Sequence, residues 1–282
     1  MNILTFDIED WFHLLDVKAT QNEADWAKYP SRIHQNMDTI FRILETGNQS
    51  ATFFCLGWVG RKYPEVIRRI VEEGHEIATH SDLHQLAYEQ SRDDFRNDLN
   101  RSIKTLEDVS GQKIRAYRAP GFSFKNENRW VFEILAEHGI EVDCSVFPAK
   151  RGHGGFEEFG TAKPCWIDID GYKLKEFPIN LKPFMGQNLI FSGGGYFRFF
   201  PLVLLNGLFA ESKYTMTYFH PRDFDAGQPI VEGLSLLRRF KSYYGLKHTE
   251  EKLVSLIKRF EFIDLRTAEN SVDWQAAETI KL

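Results

Sequence analysis

Short apolar segments with the composition of β-strands alternate with amphipathic segments of helical period along the first half of the chain. The strand-like segments are rich in β-branched and aromatic residues, and a helix-like segment follows each of them. Parallel strands need such crossover helices, because a two-residue turn joins only antiparallel neighbours. The alternation therefore predicts an α/β fold built on a mainly parallel sheet.

The predicted elements are regular up to about residue 146 and less regular beyond it. The expected strands span 2–8, 51–56, 75–79, 114–118 and 141–146, and the expected helices span 31–45, 64–73, 92–109 and 127–138. Ser31 is expected to cap the first of these helices and Gly47 to follow its end. Later in the chain, glycines at 152–155 and 193–195 indicate bends, and strands are expected at 173–178, 215–219 and 262–265.

The size and composition of the chain favour one globular domain over residues 1–282. A chain of 282 residues, of which 43% are hydrophobic, can bury a large core, and single α/β barrels reach this length. Residues after about 225 are expected to add C-terminal helices and a last strand that completes the barrel.

The net charge and the distribution of apolar residues limit which partners and which cellular location are expected. The formal net charge of −5 provides no overall basic field, so no nucleic-acid partner is expected. No apolar stretch is long enough to span a bilayer and the first residues lack the features of a secretion signal, so we expect no transmembrane segment and a cytoplasmic protein. Cys55, Cys144 and Cys165 are widely spaced without a CxxC pair and are expected to be reduced thiols.

Polar residues fall where the predicted strands end. Asp7 ends the first strand, His80 follows the third, Arg118 follows the fourth, Asp143 lies in the fifth, and His220 follows the predicted strand at 215–219. In a parallel barrel these ends gather at one rim, which is where such folds place their catalytic groups. We therefore expect these residues to meet in one cleft.

The pair His80 and His84 is the strongest metal-binding signal in the sequence. Two imidazoles four residues apart can point the same way if the segment between them turns like a helix. A carboxylate from the acidic cluster at residues 7–10 would complete a three-ligand site for a zinc-like ion, with one position open for a catalytic water.

Five short motifs then occur in an order that resembles the polysaccharide deacetylases, the family 4 carbohydrate esterases with the NodB homology domain. They are Asp7-Ile8-Glu9-Asp10, His80-Ser81-Asp82-Leu83-His84, Arg118-Ala119-Pro120-Gly121-Phe122, Asp143-Cys144-Ser145 and Phe219-His220-Pro221. The resemblance covers roughly residues 2 to 225 and implies a distorted (β/α) barrel of about seven strands, with residues 1–282 as a single NodB-type domain. It is closest to the intracellular-type branch associated with surface polysaccharide or lipopolysaccharide assembly.

The first motif departs from the usual Thr-Phe-Asp-Asp-Gly of that family. Thr5-Phe6-Asp7 is followed here by Ile8, Glu9 and Asp10. The resemblance implies that Asp7 is the catalytic base, whereas the metal carboxylate is either Glu9 or Asp10. Strand alternation puts Glu9 on the face of Asp7, but Asp10 would turn inward if the strand ended at Glu9. Both stay candidates.

Amide hydrolysis needs an activated water, a site for the charge of the tetrahedral intermediate and a proton for the leaving amine. The resemblance implies a divalent metal, Zn²⁺ first with Co²⁺ or Ni²⁺ as alternatives. Asp7 would accept the proton of water and His220 would protonate the departing nitrogen. Arg118 would pair with Asp7, and Asp143 would orient His220 or Arg118. A backbone N–H in the segment 121–122 could donate to the oxyanion.

The sequence thus predicts a metal-dependent sugar N-deacetylase of surface polysaccharide or O-antigen synthesis. Its substrate would be an acylated amino sugar that is nucleotide-linked, lipid-linked or at the end of a glycan. An allantoinase-like hydrolase of a small nitrogen compound is one alternative, and a catalytically silent sugar-binding protein is another.

Other polar and aromatic residues near the motifs have simpler interpretations. His13 is expected to be an ordinary hydrogen-bonded histidine, and Asp223 and Asp225 are expected to lie in a polar loop. Their position just after His220 makes orientation of that histidine the alternative role. One or two aromatic residues near the motif loops are expected to contact sugar rings. The candidates are Trp11, Phe12, Phe122, Phe124, Tyr196 and Phe197.

Overall fold

The first strand runs as expected from residue 2 to residue 8, with a break at Leu4 that divides it into two pieces. The structure is a computed structural model, and it describes residues 1–15, 17–150, 154–184 and 187–282. Gly152 and His153, part of one predicted bend, lie outside the described residues.

Strands and helices alternate along the described part of the chain. The strands are β1 (Asn2–Ile3), β2 (Thr5–Ile8), β3 (Thr52–Cys55), β4 (Glu76–Thr79), β5 (Ala116–Tyr117), β6 (Val142–Asp143), β7 (Cys165–Ile169), β8 (Tyr172–Glu176), β9 (Lys182–Phe184), β10 (Gln187–Leu189), β11 (Thr215–Met216) and β12 (Thr279–Lys281). The α-helices are α1 (Glu23–Trp26), α2 (Ile33–Gly47), α3 (Gly57–Lys62), α4 (Pro64–Glu72), α5 (Arg92–Ser110), α6 (Val131–Glu137), α7 (Gly194–Phe199), α8 (Leu202–Glu211), α9 (Leu236–Tyr243), α10 (Thr249–Arg259) and α11 (Leu265–Ser271). Short 3₁₀ turns cover Lys18–Thr20, Ala87–Glu89, Pro120–Phe122, Asn126–Asn128, Glu157–Phe159, Pro221–Phe224 and Leu246–His248.

The central sheet is mainly parallel and curves into an incomplete barrel. β2, β3, β4, β5, β6 and β8 lie side by side in parallel, and β1 pairs with β11 on the other side. The two ends of this run approach at Asn180, whose side-chain oxygen accepts hydrogen bonds from Met216 N and Ser192 Oγ, both at 3.0 Å. A side chain thus joins the two ends of the sheet, which paired strands would join in a regular barrel. The predicted α/β class and distorted barrel are confirmed.

The C-terminal region departs from the predicted last strand at 262–265. Ile263 forms a single parallel bridge with Ile3, and Leu265 already begins α11. The cause is Asp264, whose carboxylate accepts a hydrogen bond from Thr267 N and so caps a helix at this point. The last strand is β12, which pairs with β7 at the outer edge of the sheet instead of completing the barrel.

The start and end of α2 also differ from the sequence prediction. The carboxylate of Asp10, from the end of β2, accepts hydrogen bonds from Arg32 N at the start of the helix. Ser31 donates its hydroxyl to Asp10 and accepts a hydrogen bond from Ile33 N at 3.2 Å, so the capping role expected for Ser31 is shared with Asp10. Gly47 belongs to the helix, and Asn48 adopts the left-handed conformation that ends it.

Helices cover the sheet with their apolar faces. In α2 these are Ile33, Met37, Ile40, Ile43 and Leu44, which join one core cluster that extends in sequence from Leu4 to Phe262. No helix among the described residues combines the length and apolar composition that crossing a bilayer requires.

Candidate metal centre and active site

The carboxyl ends of β2 and β4 bring three potential metal ligands together. Glu9 lies directly after β2, His80 directly after β4, and His84 in the loop that follows. All three side chains are buried, and one nitrogen or oxygen atom of each lies within 4.8 Å of the others. Imidazole nitrogens and a carboxylate oxygen form the donor set of three-ligand catalytic zinc sites.

The tautomer of His80 leaves a lone pair for a metal ion. Its Nδ1 lies 2.8 Å from the carbonyl oxygen of Arg118, which can only accept, so Nδ1 carries the proton and Nε2 is free of one. Burial lowers the pKa of His80 to about 4, which keeps the ring neutral at ordinary pH. A backbone partner of this kind also fixes the orientation of a metal-binding ring.

His84 is held in an uncommon backbone conformation. Its φ is 55° and that of Ser81 is 74°, both in the left-handed region that non-glycine residues rarely adopt. Two features of the loop hold it there. The Ser81 hydroxyl accepts from His84 N at 3.0 Å, and the carboxylate of Asp98, on α5, accepts from the backbone of Asp82 and Leu83. Strain supported in this way is typical of functional sites.

The contact between Glu9 and His84 places two potential ligand atoms side by side in a buried position. Glu9 Oε2 lies 2.6 Å from His84 Nε2, yet this buried oxygen has no aligned hydrogen-bond donor among the described residues. Burial alone would raise the pKa of Glu9, but the neighbouring histidines, His84 above all, lower it to about 2. An ionised, unsatisfied oxygen that converges with imidazole nitrogens fits a divalent cation.

Asp10, the other candidate carboxylate, is occupied elsewhere. Trp11 N donates to its Oδ1 at 2.9 Å, and its remaining contacts are the cap of α2 formed with Ser31 and Arg32. Both oxygens thus serve the start of a helix. The structure places Glu9, and not Asp10, with His80 and His84.

Asp7 and Arg118 form a buried ion pair beside the metal-ligand group. Arg118 Nη1 donates to Asp7 Oδ1 at 2.7 Å and to the Thr5 hydroxyl at the same distance. The guanidinium carbon lies 4.0 Å from the centre of the Phe54 ring, which supports it from one face. The second carboxylate oxygen, Asp7 Oδ2, lies 3.8 Å from Nε2 of His220.

His220 closes the cleft from the other side and is oriented by Asp223. Its Nδ1 lies 3.2 Å from Asp223 Oδ2, and its Nε2 lies 3.8 Å from Glu9 Oε1. Burial alone would lower the pKa of His220, but the bond to Asp223 and the charges of Glu9 and Asp7 raise it to about 9. Arg198, itself buried, pairs with the other oxygen of Asp223. The His220 side chain stays 25% exposed, so it is open to a substrate.

Asp143 does not contact His220 or Arg118 through any described hydrogen bond, contrary to the role implied by the sequence. Its carboxylate accepts from Ser145 Oγ at 2.6 Å and from Ser145 N at 3.1 Å, and Ser145 Oγ in turn accepts from Ala119 N. Asp143 is paired across the sheet with Glu176, another fully buried carboxyl. It fixes the backbone after Arg118 through Ser145 instead of touching the cleft.

His13 lies in the wall of the cleft. Its Nδ1 accepts a hydrogen bond from Asp10 N at 2.9 Å, so Nε2 carries the proton of the neutral ring. Burial lowers its pKa to about 3. Its ring packs between Trp26 and Trp58, with centroids 4.2 and 5.1 Å away. On the far side of these rings is a cavity of about 560 Å³ lined largely by aromatic residues.

Among the six aromatic candidates for sugar contact, only Tyr196 is exposed. Trp11, Phe12, Phe122, Phe124 and Phe197 are all buried in the core. The backbone N–H of Gly121 or of Phe122 was expected as the donor to the oxyanion. Phe122 N instead donates to Ala119 O within its own turn, so Gly121 N is the remaining candidate.

Arg198 and Glu176 are buried polar residues that the sequence did not single out, whereas Asp223 was named only as a residue of a polar loop that could orient His220. The spacing His220-Pro221-Arg222-Asp223 supports that role, since the Asp223 carboxylate caps the turn by accepting a hydrogen bond from His220 N at 2.9 Å. Arg198 had no local signal, because its partner is 25 residues away. The nearby Gly193 is required for packing: a Cβ there would lie 2.3 Å from Tyr218 O.

Comparison with known proteins divides the chain into two matched segments. The polysaccharide deacetylase family profile matches residues 4–142, and a domain of unknown function, DUF3473, matches residues 144–269. The first segment contributes Asp7, Glu9, His80, His84 and Arg118. The second contributes His220 with its partners Arg198 and Asp223.

Individual proteins agree with the first match. A peptidoglycan-N-acetylglucosamine deacetylase of Bacillus cereus is 32% identical over 91 residues, and the match covers only 32% of this chain and 33% of that protein. A crystal structure from Mycobacterium smegmatis, assigned as a polysaccharide deacetylase, has a TM-score of 0.68 at 22% identity and covers 99% of this chain and 92% of its own. A family 4 carbohydrate esterase pseudoenzyme from Bacillus anthracis has a TM-score of 0.53 at 14% identity, over 100% of this chain and 69% of its own. Residues 4–142 thus form a polysaccharide deacetylase domain, and the relatives and structural neighbours that match the chain are described as deacetylases or family 4 carbohydrate esterases.

Proposed function

We propose that the protein is a metal-dependent sugar N-deacetylase that removes an acetyl or similar acyl group from an amino sugar. The observation that carries this proposal is the convergence of three metal-ligating side chains with an acid–base pair in one cleft. Asp7 Oδ2 lies 3.8 Å from His220 Nε2, and His220 Nε2 lies 3.8 Å from Glu9 of the ligand group. A general base, a general acid and a metal site are the three components that amide hydrolysis requires.

Glu9, His80 and His84 would hold the metal ion. The fit rests on the unsatisfied Oε2 of Glu9 and on the proton-free Nε2 of His80. When bound, a divalent cation supplies Lewis-acid chemistry that polarises the acyl carbonyl and lowers the pKa of water. Two nitrogens and one carboxylate favour Zn²⁺, and Co²⁺ or Ni²⁺ suit the same donors.

Asp7 is placed to accept the proton of the attacking water. Arg118 occupies Oδ1 through its 2.7 Å hydrogen bond and so fixes the carboxylate plane. Oδ2 is left facing the cleft and His220. An ionised carboxylate with one oxygen anchored and one directed at the reaction site is the arrangement of an oriented general base.

His220 is placed to give a proton to the departing amine. Its raised pKa of about 9 keeps it protonated at neutral pH, with Nδ1 directed at Asp223 and Nε2 toward the cleft. The leaving nitrogen of an amide must be protonated as the C–N bond breaks, because a free amide anion is a poor leaving group. A charged imidazole whose second nitrogen is held by a carboxylate meets this need.

The relatives support an acetylated glycan as substrate, since a matched protein acts on peptidoglycan N-acetylglucosamine. For this chain we propose a nucleotide-linked, lipid-linked or chain-terminal amino sugar in surface polysaccharide or O-antigen synthesis. A cytoplasmic location accords with Cys55, Cys144 and Cys165, which are buried free thiols.

Two measurements on purified protein test the proposal together. Elemental analysis after reconstitution with Zn²⁺, Co²⁺ or Ni²⁺ should find about one ion per chain, and acetylated amino sugars should release acetate. The variant His80→Ala should lose both, whereas His34→Ala, which alters an exposed histidine on α2, should lose neither. Full metal content and full activity in a folded His80→Ala protein would exclude the proposed site.

A catalytically silent sugar-binding protein is the second candidate, because one structural neighbour is itself described as a pseudoenzyme. This chain retains a residue for each role, which favours catalysis. Stoichiometric metal with sugar binding but without acetate release would favour the silent protein. An allantoinase-like hydrolase would instead turn over without bound metal.

A further inference from the structure

Helix α9 carries an apolar face that stays exposed in the described part of the chain. Its residue Leu236 is 85% exposed, Leu237 is 65% exposed and Phe240 is 50% exposed, and none of the eight residues of α9 is buried. Tyr244, just after the helix, and Phe199, at the end of α7, extend the same surface. We call these five side chains the apolar face. Surface helices normally turn their apolar side inward, so this exposure needs a cause.

The apolar face is continuous across two segments of the chain. The rings of Phe240 and Tyr244 lie 4.7 Å apart, and those of Tyr244 and Phe199 lie 6.0 Å apart. Val203, at 84% exposed, is the second residue of α8, four positions after Phe199. The result is an apolar surface built from two neighbouring helical regions instead of a few isolated side chains.

The two segments that form the apolar face carry basic residues and no acidic ones. Residues 194–210 and 233–249 contain no aspartate or glutamate, although the whole chain has a net charge of −5. The second of these segments carries Arg238, Arg239, Lys241 and Lys247. Arg239 and Lys241 are exposed and flank Phe240 in sequence. An acidic protein thus has one region in which basic residues border exposed leucine and aromatic side chains.

This region is tied directly to the catalytic cleft. Arg198 donates from Nε to Tyr244 O at 3.0 Å and from Nη2 to Lys241 O at 2.7 Å, while its Nη1 pairs with Asp223. Asp223 in turn holds His220. One buried guanidinium therefore fixes the end of α9 against the group that orients the proposed proton donor.

From these observations we propose that the apolar face docks the protein onto the surface of an anionic lipid bilayer. Leucine and aromatic side chains on one side of a short helix, bordered by arginine and lysine, are the composition of helices that lie in the membrane interface. The long basic side chains can reach lipid phosphates while the apolar ones enter the acyl region. Docking on this face would hold the cleft close to the bilayer surface, and it does not depend on the proposed deacetylase activity.

Vesicle co-sedimentation of the full chain tests the proposal. Vesicles of phosphatidylcholine alone are compared with vesicles that also contain phosphatidylglycerol, at low and at physiological salt. The expected result is binding to the anionic vesicles that weakens with salt, since basic side chains are screened. Absence of binding to either vesicle at low salt would overturn the proposal.

Variants locate the surface. Leu236→Ser combined with Leu237→Ser should reduce the partition coefficient by at least about tenfold, because the buried apolar area drives insertion. Arg239→Glu combined with Lys241→Glu should abolish the preference for anionic vesicles. Neither pair alters a buried side chain, so both proteins should fold, as circular dichroism would check.

Matched controls on other surfaces are Tyr172→Ser on β8 and Lys104→Glu on α5, which should bind like the unaltered protein. Equal loss in these controls would show non-specific adsorption and overturn the assignment. A concentration-dependent dimer that the leucine variant abolishes, without lipid binding by the original protein, would assign the face to a second copy of the chain instead.

Discussion

Glu9 Oε2 and His84 Nε2 lie 2.6 Å apart in a buried position, without an aligned hydrogen bond to the carboxylate oxygen. Replacing Glu9 by glutamine should therefore weaken metal binding by more than about a hundredfold, since even residues that only support metal ligands contribute ten- to a hundredfold. Competition with a fluorescent chelator would measure the affinity. Unchanged affinity in Glu9→Gln would remove Glu9 from the ligand set.

Asp10→Asn is the matched test of the competing carboxylate. Because Asp10 accepts from Trp11 N, Ser31 and Arg32 N, the substitution should lower the free energy of unfolding by about 1–2 kcal/mol, the usual cost of losing a helix cap. Metal stoichiometry should not change. A protein of normal stability that lacks metal would reverse the assignment of Glu9 and Asp10.

Asp7→Asn should abolish most turnover while leaving metal binding largely intact. Asparagine keeps an oxygen for the Arg118 hydrogen bond but cannot accept a proton, so kcat should fall by about 10²–10⁴. Acetate release and metal content are measured on the same preparation. Activity equal to that of the original protein would show that another group acts as base.

Asp223→Asn should move the alkaline limb of the activity profile to lower pH. His220 must be protonated to act as acid, so activity should fall as the pH rises through its pKa of about 9. Loss of the carboxylate charge lowers that pKa, and the limb shifts with it. The pH dependence of kcat at saturating metal and substrate measures the shift.

The control for this change is Asp225→Asn, because Asp225 pairs with Arg32 and not with His220. It should leave the alkaline limb in place. Asp223→Asn should also destabilise the fold by about 3–5 kcal/mol, since it leaves the buried Arg198 without its charged partner. An unshifted limb in a folded Asp223→Asn protein would separate Asp223 from the titration of His220.

The buried pair Asp143 and Glu176 should make stability fall as pH rises. Burial raises the pKa of Asp143, and burial with the charge of Asp143 raises that of Glu176 well above its ordinary value. The folded pair thus keeps a proton that the unfolded chain releases above about pH 4.3. The free energy of unfolding then decreases with pH by up to about 1.4 kcal/mol per unit for one proton.

Glu176→Gln should flatten this dependence between about pH 5 and 7, because the amide cannot ionise and still accepts from Val146 N. Urea unfolding at several pH values gives the slope. Glu211→Gln, at an exposed carboxylate on α8, should keep the original slope. An equal slope in Glu176→Gln would show that the pair does not retain the proton.

Most of the barrel could be predicted from the sequence, because the spacing of apolar residues and the alternation of strands with helices are visible within short segments of the chain. β2, β3 and β4 lie within the segments predicted for them, and α2 and α4 begin and end within a few residues of the expected limits. The short helix α3 between β3 and α4 was not predicted. The prediction of a strand at 262–265 was wrong, because four residues are too few to show whether apolar positions repeat with the spacing of a strand or of a helix. A capping interaction of Asp264 decided the conformation there.

The site could be predicted only where one strand end carried the signal. Asp7 lies near the end of β2, His80 follows β4 and His220 follows the segment paired with Phe6, and the structure brings them into one cleft. The choice between Glu9 and Asp10 depended on partners far along the chain, since Ser31 and Arg32 engage Asp10. Arg198 was unpredictable for the same reason, because its guanidinium acts on residues 25 and more than 40 positions away.

The boundary between the two matched segments falls at Asp143, between the residues that would activate water and the residue that would release the amine. The first segment holds the proposed base and metal ligands, and the second holds His220 with Asp223 and Arg198. Asp7 and Glu9 of the first segment also raise the pKa of His220, so the proposed proton donor is influenced from both segments. Divergence of residues 144–269 alone would replace the proposed proton donor and its Asp223 partner while leaving the proposed base and metal ligands unchanged. A new leaving amine could be accommodated in this way without rebuilding the half that would activate water.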